Sequence, residues 1–144
     1  MPRRLAFDSH KVLGFSPPGA EDDYVSRLLV DKESVGSQRL TLNHFTLHPG
    51  RSTPLGSHRA PFDELYYVLS GRGVLRLGDK PEVYDVTPGW VAFIPGGTLH
   101  SLHNTGDHDL ELLTIMPLPP EPGVNSTYDA RLAAWGTSFR LADE

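Results

Sequence analysis

One stretch of the sequence joins a tight turn to histidines in a spacing that suits metal or acid–base chemistry. It runs from Gly89 to Asn104 in the pattern G-x5-P-x-G-x2-H-x3-N, with His100 as its fixed histidine. The Pro-Gly-Gly turn ends one strand and aims His100 from the start of the next. Because side chains alternate along a strand, His100 and Asn104 share one face and His103 takes the other. The stretch predicts a histidine and an amide directed into one interior. The alternative is an ordinary hairpin with an incidental histidine.

A second stretch, upstream of the first, carries a histidine, a carboxylate and a phenol. It reads GSHRAPFDELYYVLSG from Gly56 to Gly71 and contains His58 and Glu64, both metal-ligating residue types. If Glu64 points inward from a strand, so does Tyr66. Two explanations of an inward tyrosine are open. It can serve catalysis, or it can be a core residue whose hydroxyl is bound to some partner.

Together the two stretches resemble the motifs of the cupin superfamily. The first cupin motif has two histidines one residue apart, then a glutamate and a glycine, which His58, Glu64 and Gly71 match in part. Ala60 stands where the second histidine is expected. The second motif matches in full, with His100 as its ligand. The resemblance implies an all-β cupin jelly roll, an antiparallel β-sandwich or barrel with few short helices.

The resemblance also implies one divalent metal per chain, held by His58, Glu64 and His100. Two histidines and a carboxylate suffice for many metals and leave positions open. Zinc is the first expectation, and iron, nickel and manganese are the alternatives. His44, or less favourably His48, could supply the missing ligand, but the two lie too far apart along a strand to bind one ion together. A further alternative is a cup that binds a ligand without any metal.

Short β-prone segments, separated by turn signals, must position these residues. Their spacing is typical of an antiparallel sandwich or barrel. Segment 21–30 reads equally as a strand or a helix, and a short helix over 129–135 ends at Gly136. The predicted strands cover 38–47, 64–69, 74–77, 83–86, 90–94, 98–104 and 110–116.

The whole chain is expected to form a single cupin domain over residues 1–144. An N-terminal arm with the first strands occupies 1–37, the cupin core 38–117, and a Pro-rich tail 118–144. The exposed sheet edges of such a small sandwich need covering, which favours a homodimer.

Strand alternation predicts a mainly apolar cup with the metal at its floor. Such a pocket suits a hydrophobic ligand better than a sugar phosphate, for which no inward basic cluster is visible. The residues expected to line the substrate pocket are Asn43, Phe62, Asn104, Leu112, Thr114 and Met116.

The composition of the chain excludes several classes of protein. There are 144 residues with 14 glycines, 13 prolines and no cysteine, so disulfide scaffolds, iron–sulfur sites and Cys nucleophiles are excluded. The formal charge of −5 argues against a nucleic-acid partner. No apolar run is long enough to span a membrane, and no targeting segment is visible, so a cytoplasmic protein is expected.

Four segments, 43–47, 63–69, 128–131 and 135–140, extend the likeness to the small cupin cyclases of bacterial aromatic polyketide pathways, of the resistomycin type. This resemblance implies a metal-dependent polyketide cyclase in antibiotic biosynthesis. It would close and aromatise a poly-β-ketone, free or tethered to a carrier protein, by intramolecular aldol condensation and dehydration.

In such a cyclase the metal acts as a Lewis acid, and Glu64 or Tyr66 moves protons. The main alternative is a cupin dioxygenase that uses non-haem Fe(II) on a small aromatic or diketone substrate. A sugar epimerase or isomerase and a non-catalytic binding module are further alternatives.

Overall fold

The computed structural model describes residues 5–57, 62–117 and 125–142. Within these ranges the chain is mostly β-strand, with two α-helices and a 3₁₀ turn at Ser9–Lys11. The helices are α1 Lys32–Val35 and α2 Ser126–Trp135. The strands are β1 Tyr24–Val30, β2 Leu40–Leu47, β3 Glu64–Ser70, β4 Gly73–Leu77, β5 Glu82–Val86, β6 Val91–Ile94, β7 His100–Asn104 and β8 Leu110–Pro117.

The strands form two antiparallel sheets that pack into a sandwich. One sheet has the order β1-β2-β8-β3-β6 and the other the order β5-β4-β7. Inward-facing side chains from both sheets build the core between them. This arrangement confirms the predicted all-β jelly roll with few short helices. The core residues are Leu47, Val68, Leu75, Val86, Leu102, Leu110 and Leu112.

The turn before β7 has the geometry that the sequence predicts. The Thr98 amide donates to the Pro95 carbonyl at 3.0 Å, which closes the turn. Gly97, third in the turn, has φ +84°, a left-handed conformation that glycine adopts without strain. The turn therefore delivers the chain to His100, the first residue of β7.

The segment that leads toward the first motif runs along the free edge of β7. The Thr53 amide donates to the Leu102 carbonyl at 2.8 Å, and Gly56 exchanges two backbone hydrogen bonds with His100. The chain thus reaches Ser57 beside His100 and is described again from Phe62, just before β3.

The terminal segments cover the outer parts of the five-stranded sheet. Segment 21–30, which the sequence left open, contains a strand because β1 pairs with β2, with one irregularity between Leu28 and Val30. Helix α2 begins after Asn125, whose side chain accepts the Tyr128 amide, and ends at the left-handed Gly136 as predicted. No helix in the described ranges is long and apolar enough to cross a membrane.

Candidate active site

Glu64 and His100 meet in the interior although they come from different sheets. Glu64 is the first residue of β3 and His100 the first of β7. The His100 Nε2 atom lies 3.5 Å from the Glu64 Oε1 atom, and the side chains are 10% and 9% exposed. Strand alternation buries Glu64 while Leu65 and Tyr67 point to solvent. The sandwich therefore brings a carboxylate and an imidazole together in an enclosed space.

A hydrogen bond fixes the orientation of the His100 ring. Its Nδ1 atom lies 3.0 Å from the Thr98 carbonyl oxygen and donates to it, so Nε2 is directed toward Glu64. Burial lowers the pKa of His100, but hydrogen bonds to Glu64 and to the Thr98 carbonyl outweigh it, and the net effect raises the pKa. The carbonyl that orients the ring leaves Nε2 as the nitrogen that faces the site.

Tyr66 follows Glu64 on the inner face of β3. Its ring lies 6.1 Å from the His100 ring, at an interplanar angle of 80°. Burial, and secondly the neighbouring Glu64 carboxylate, raise the pKa of the Tyr66 phenol well above its usual value. The phenol therefore keeps its proton at physiological pH. Glu64 and Tyr66 from one sheet and His100 from the other all line the same cavity.

Two of the three ligands implied by the motifs thus meet at the predicted place, and the third, His58, lies outside the described residues. Across 5–57, 62–117 and 125–142, no three His, Asp or Glu side chains form a metal-binding group. The donor chemistry nevertheless fits a divalent ion. An oriented imidazole nitrogen and a carboxylate oxygen converge, and Gly56, two residues before His58, is hydrogen-bonded to His100.

His44 lies on the wrong side of its strand for this site. Side chains at Asn43 and Phe45 face the cavity, so the alternating position of His44 faces away. Its Nε2 atom lies 3.4 Å from the Glu111 carboxylate, in a separate surface recess with Arg27. This placement corrects the expectation that His44 joins the ligand set. His48 is also elsewhere and lies 2.9 Å from Asp109.

The cavity beside Glu64 and His100 has a volume of about 150 Å³ and opens next to a wider outer recess of about 470 Å³. Of its described lining, Leu28, Phe45 and Met116 are apolar, while most other side chains carry hydroxyl, amide or charged groups. The lining is therefore mixed, and the expectation of a mainly apolar cup is met only in part. Alternation fixed which face points inward, but it did not predict how many inward side chains are polar.

The residues predicted to line the pocket divide into two groups. Asn43, Thr114 and Met116 do line the cavity. Leu112 belongs to the apolar core instead, and Phe62 is half-buried just before β3, outside the described lining.

Asn104 has a structural position rather than one in the cavity. It is fully buried, and its Nδ2 donates to the carbonyls of Leu47 and His108, each at 2.8 Å. Its Oδ1 accepts the Gly106 amide at 2.8 Å. The side chain therefore ties β7 to β2 and to the turn that follows β7. This position corrects the expectation that Asn104 lines the substrate pocket.

Sequence reasoning missed two features of the site. Helix α2 covers the cavity and contributes Arg131, which is 2% exposed, together with Tyr128. Asp63 accepts the Gly96 amide at 2.9 Å and so ties the start of β3 to the turn before His100. The adjacency of Asp63 to Glu64 was visible in the sequence, but nothing local to residue 131 indicates that it faces the cavity.

Comparisons with known sequences identify the relatives of the chain. A family model described as Cupin domain matches residues 43–116. The oxalate-binding protein of Thermotoga maritima is 36% identical over 90 residues, 62% of this chain and 72% of that protein. Auxin-binding protein T85 of Nicotiana tabacum is 33% identical over 84 residues, 52% of this chain and 44% of that protein. The chain therefore spans less than half the length of this plant relative.

Two solved structures extend the likeness. The polyketide cyclase RemF from Streptomyces resistomycificus has a TM-score of 0.68 and 26% identity, covering 93% of this chain and 94% of that chain. A predicted oxalate decarboxylase from Thermotoga maritima also has a TM-score of 0.68 and 26% identity, covering 80% of this chain and 100% of that one. These likenesses confirm the resemblances inferred from the sequence motifs.

Proposed function

Since the chain belongs to the Cupin domain family, we propose that it is a metal-dependent enzyme that closes a poly-β-ketone into an aromatic ring. The observation that carries the proposal is that Glu64, Tyr66 and His100 line one cavity, which α2 covers. The likeness to the polyketide cyclase supports it, because that likeness covers 93% of the chain, against 80% for the oxalate decarboxylase.

The polar groups of the mixed cavity lining fit this substrate better than a wholly apolar cup would. A poly-β-ketone carries an oxygen on every second carbon, so a folded chain presents several acceptors at once. Asn43, Tyr66 and Thr114 supply amide and hydroxyl donors along the cavity wall. These donors can hold the chain in one register, which gives positional catalysis.

His58, Glu64 and His100 would hold the metal, with the Nε2 atom of His100 as its donor. When bound, a divalent ion of this kind polarises a ketone oxygen as a Lewis acid. Zinc is the first expectation for it, with iron, nickel and manganese as alternatives.

The protons of the aldol step can be assigned to two side chains. A methylene carbon bonds to a ketone carbon as the Glu64 carboxylate takes the methylene proton. The ketone oxygen becomes a hydroxyl by taking the proton of the Tyr66 phenol. Glu64, which lies beside Tyr66, returns its proton to the phenolate, and loss of water from the hydroxylated ring completes aromatisation.

The matched pair Tyr66→Phe and Tyr67→Phe tests this assignment. Tyr67 is adjacent in sequence but points to solvent from the other face of β3. A synthetic linear tetraketide, offered as the free acid and as a thioester, is incubated with the metal-loaded protein, and ring formation is followed by mass spectrometry. Tyr66→Phe should slow ring closure about a hundredfold, and Tyr67→Phe should not slow it.

Three results would overturn the proposal. They are ring closure no faster than in buffer, equal rates in both variants, and consumption of oxygen with incorporation into the product. The last of these would identify the dioxygenase instead.

A further inference from the structure

Arg131 is a buried cation whose position is not explained by the proton transfers above. It lies within helix α2, is 2% exposed, and lines the same cavity as Tyr66 and Asn43. Burying a guanidinium without a counter-charge is unfavourable, so such side chains normally face a carboxylate. The partners of Arg131 are therefore the key observation.

The partners of Arg131 within the protein are neutral. Its Nη2 atom donates to the Ser26 carbonyl at 3.2 Å and to the Ser26 hydroxyl at 2.7 Å. The guanidinium also lies 5.3 Å from the centre of the Phe15 ring. Among the described residues, no carboxylate forms an ion pair with it. Asp31 acts on it only at longer range, and that carboxylate already accepts from Ser34 and Ser138.

The guanidinium nevertheless keeps its charge. Burial lowers the pKa of Arg131 to about 10, which still leaves it protonated at neutral pH. A guanidinium has five N–H donors, and Ser26 engages those of one nitrogen. The donors on Nη1 and Nε make no hydrogen bond to a described protein atom, so these donors are left for a ligand.

A short chain of hydrogen bonds adds a further donor beside the guanidinium. The Ser26 hydroxyl, which accepts from Arg131, donates to the Asn43 Oδ1 atom at 2.7 Å. With its oxygen engaged, Asn43 presents its amide N–H₂ to the cavity. Arg131 and Asn43 thus give one end of the cavity positive charge and donors, which is the chemistry that receives an anion.

We propose that Arg131 binds a carboxylate of the ligand and that this cavity therefore selects molecules with a free carboxylate end. The positively charged guanidinium can donate charge-assisted hydrogen bonds from Nη1 or Nε to a carboxylate oxygen. The inference deepens the proposed function and rests on it only for the identity of the substrate. The poly-β-ketone would then be a released acid, because a carrier-bound thioester has no terminal carboxylate.

Benzoate and benzamide test the inference without requiring catalysis. The cavity volume of about 150 Å³ suits a single small ring, and the two probes differ in charge but hardly in shape. Their dissociation constants are measured by calorimetry on the metal-loaded protein and again after metal removal by a chelator. The variants are Arg131→Gln and Arg131→Lys, with Arg140→Gln as the matched control. Arg140 is an exposed arginine whose guanidinium lies 5.6 Å from the Trp135 ring centre.

We expect the native protein to bind benzoate at least about tenfold more tightly than benzamide, with or without metal. Arg131→Gln should abolish that preference, Arg131→Lys should retain part of it, and Arg140→Gln should keep it whole. Thermal unfolding of each variant shows that the folded protein is being compared. If Arg131→Gln does not fold, Arg131→Lys and the native protein still decide the question.

Two results would overturn the inference. One is equal binding of the two probes by the native protein. The other is a benzoate preference that survives Arg131→Gln but disappears on metal removal, which would place the carboxylate on the metal. Failure of the proposed function would be distinguishable, because benzoate selectivity would persist while no ring is formed from the tetraketide.

Discussion

Replacing Asn104 with alanine should destabilise the fold without impairing the site. The substitution leaves the carbonyls of Leu47 and His108 and the amide of Gly106 without their buried partner. At about 1 kcal/mol of net stability for each hydrogen bond, the loss is about 3 kcal/mol. For a chain of this size, that loss corresponds to a fall in melting temperature of about 6–12 °C.

Urea and thermal unfolding measure the loss, with Ser101→Ala on the same strand as the control. Ser101 is half-buried, so its variant should stay within about 0.5 kcal/mol of the native protein. Metal content and benzoate affinity of folded Asn104→Ala should equal those of the native protein. The reasoning is refuted if Asn104→Ala unfolds like the native protein. It is also refuted if ligand affinity falls while stability does not, because that would return Asn104 to the binding site.

Three further predictions concern a turn, a surface contact and an interface. Gly71→Ala should destabilise the fold by about 2 kcal/mol or more, because φ is +83° and a Cβ would lie 2.5 Å from the Asp109 carbonyl oxygen. Gly50→Ala, with a positive φ but open space around it, should lose less in urea unfolding. Hydrogen bonds from the segment after α2 lower the pKa of Glu33 despite an opposing effect of burial. The charged Glu33 side chain, which Glu33→Gln removes, should therefore stabilise the fold fully above the ordinary pKa of 4.5. This stabilisation should be lost as the pH falls below that value. For the homodimer, which we propose to form through exposed apolar side chains of β3 and β6, Phe93→Glu should give monomers in sedimentation velocity.

Each of these predictions has a result that contradicts it. Equal losses in Gly71→Ala and Gly50→Ala would show that the contact with Asp109 is unimportant. A stability difference for Glu33→Gln that persists in acid would remove the charged form as its source. A native monomer, or a dimer unaffected by Phe93→Glu, would reject this interface.

The strands and the main pair of the site could be predicted because their signals are local. Turn-forming residues mark the ends of the strands, and alternation within β3 and β7 is enough to direct Glu64 and His100 inward. The orientation of His44 could not be predicted in this way because β2 is covered on both sides. Leu47 packs in the core between the sheets, while Leu42 packs under the terminal segments, so hydrophobicity does not mark the inner face.

The polarity of the cavity depends on long-range packing and therefore could not be predicted from the sequence. Arg131 faces the interior because α2 folds back over β1, where it finds Ser26. A helix read on its own shows an arginine there as an ordinary solvated residue. The strand at Tyr24–Val30 was ambiguous for the same reason, since its pairing with β2 decides its conformation.

The metal content of purified protein tests the account most directly. Elemental analysis is made on the native chain and on the variants His58→Ala, Glu64→Gln, His100→Ala and His44→Ala. We expect near-stoichiometric divalent metal in the native protein and in the His44→Ala variant, because His44 lies in the separate recess with Glu111. The other three variants should lose the metal while remaining folded. Retention of metal by His100→Ala, or its loss from His44→Ala alone, would contradict the assignment of the site.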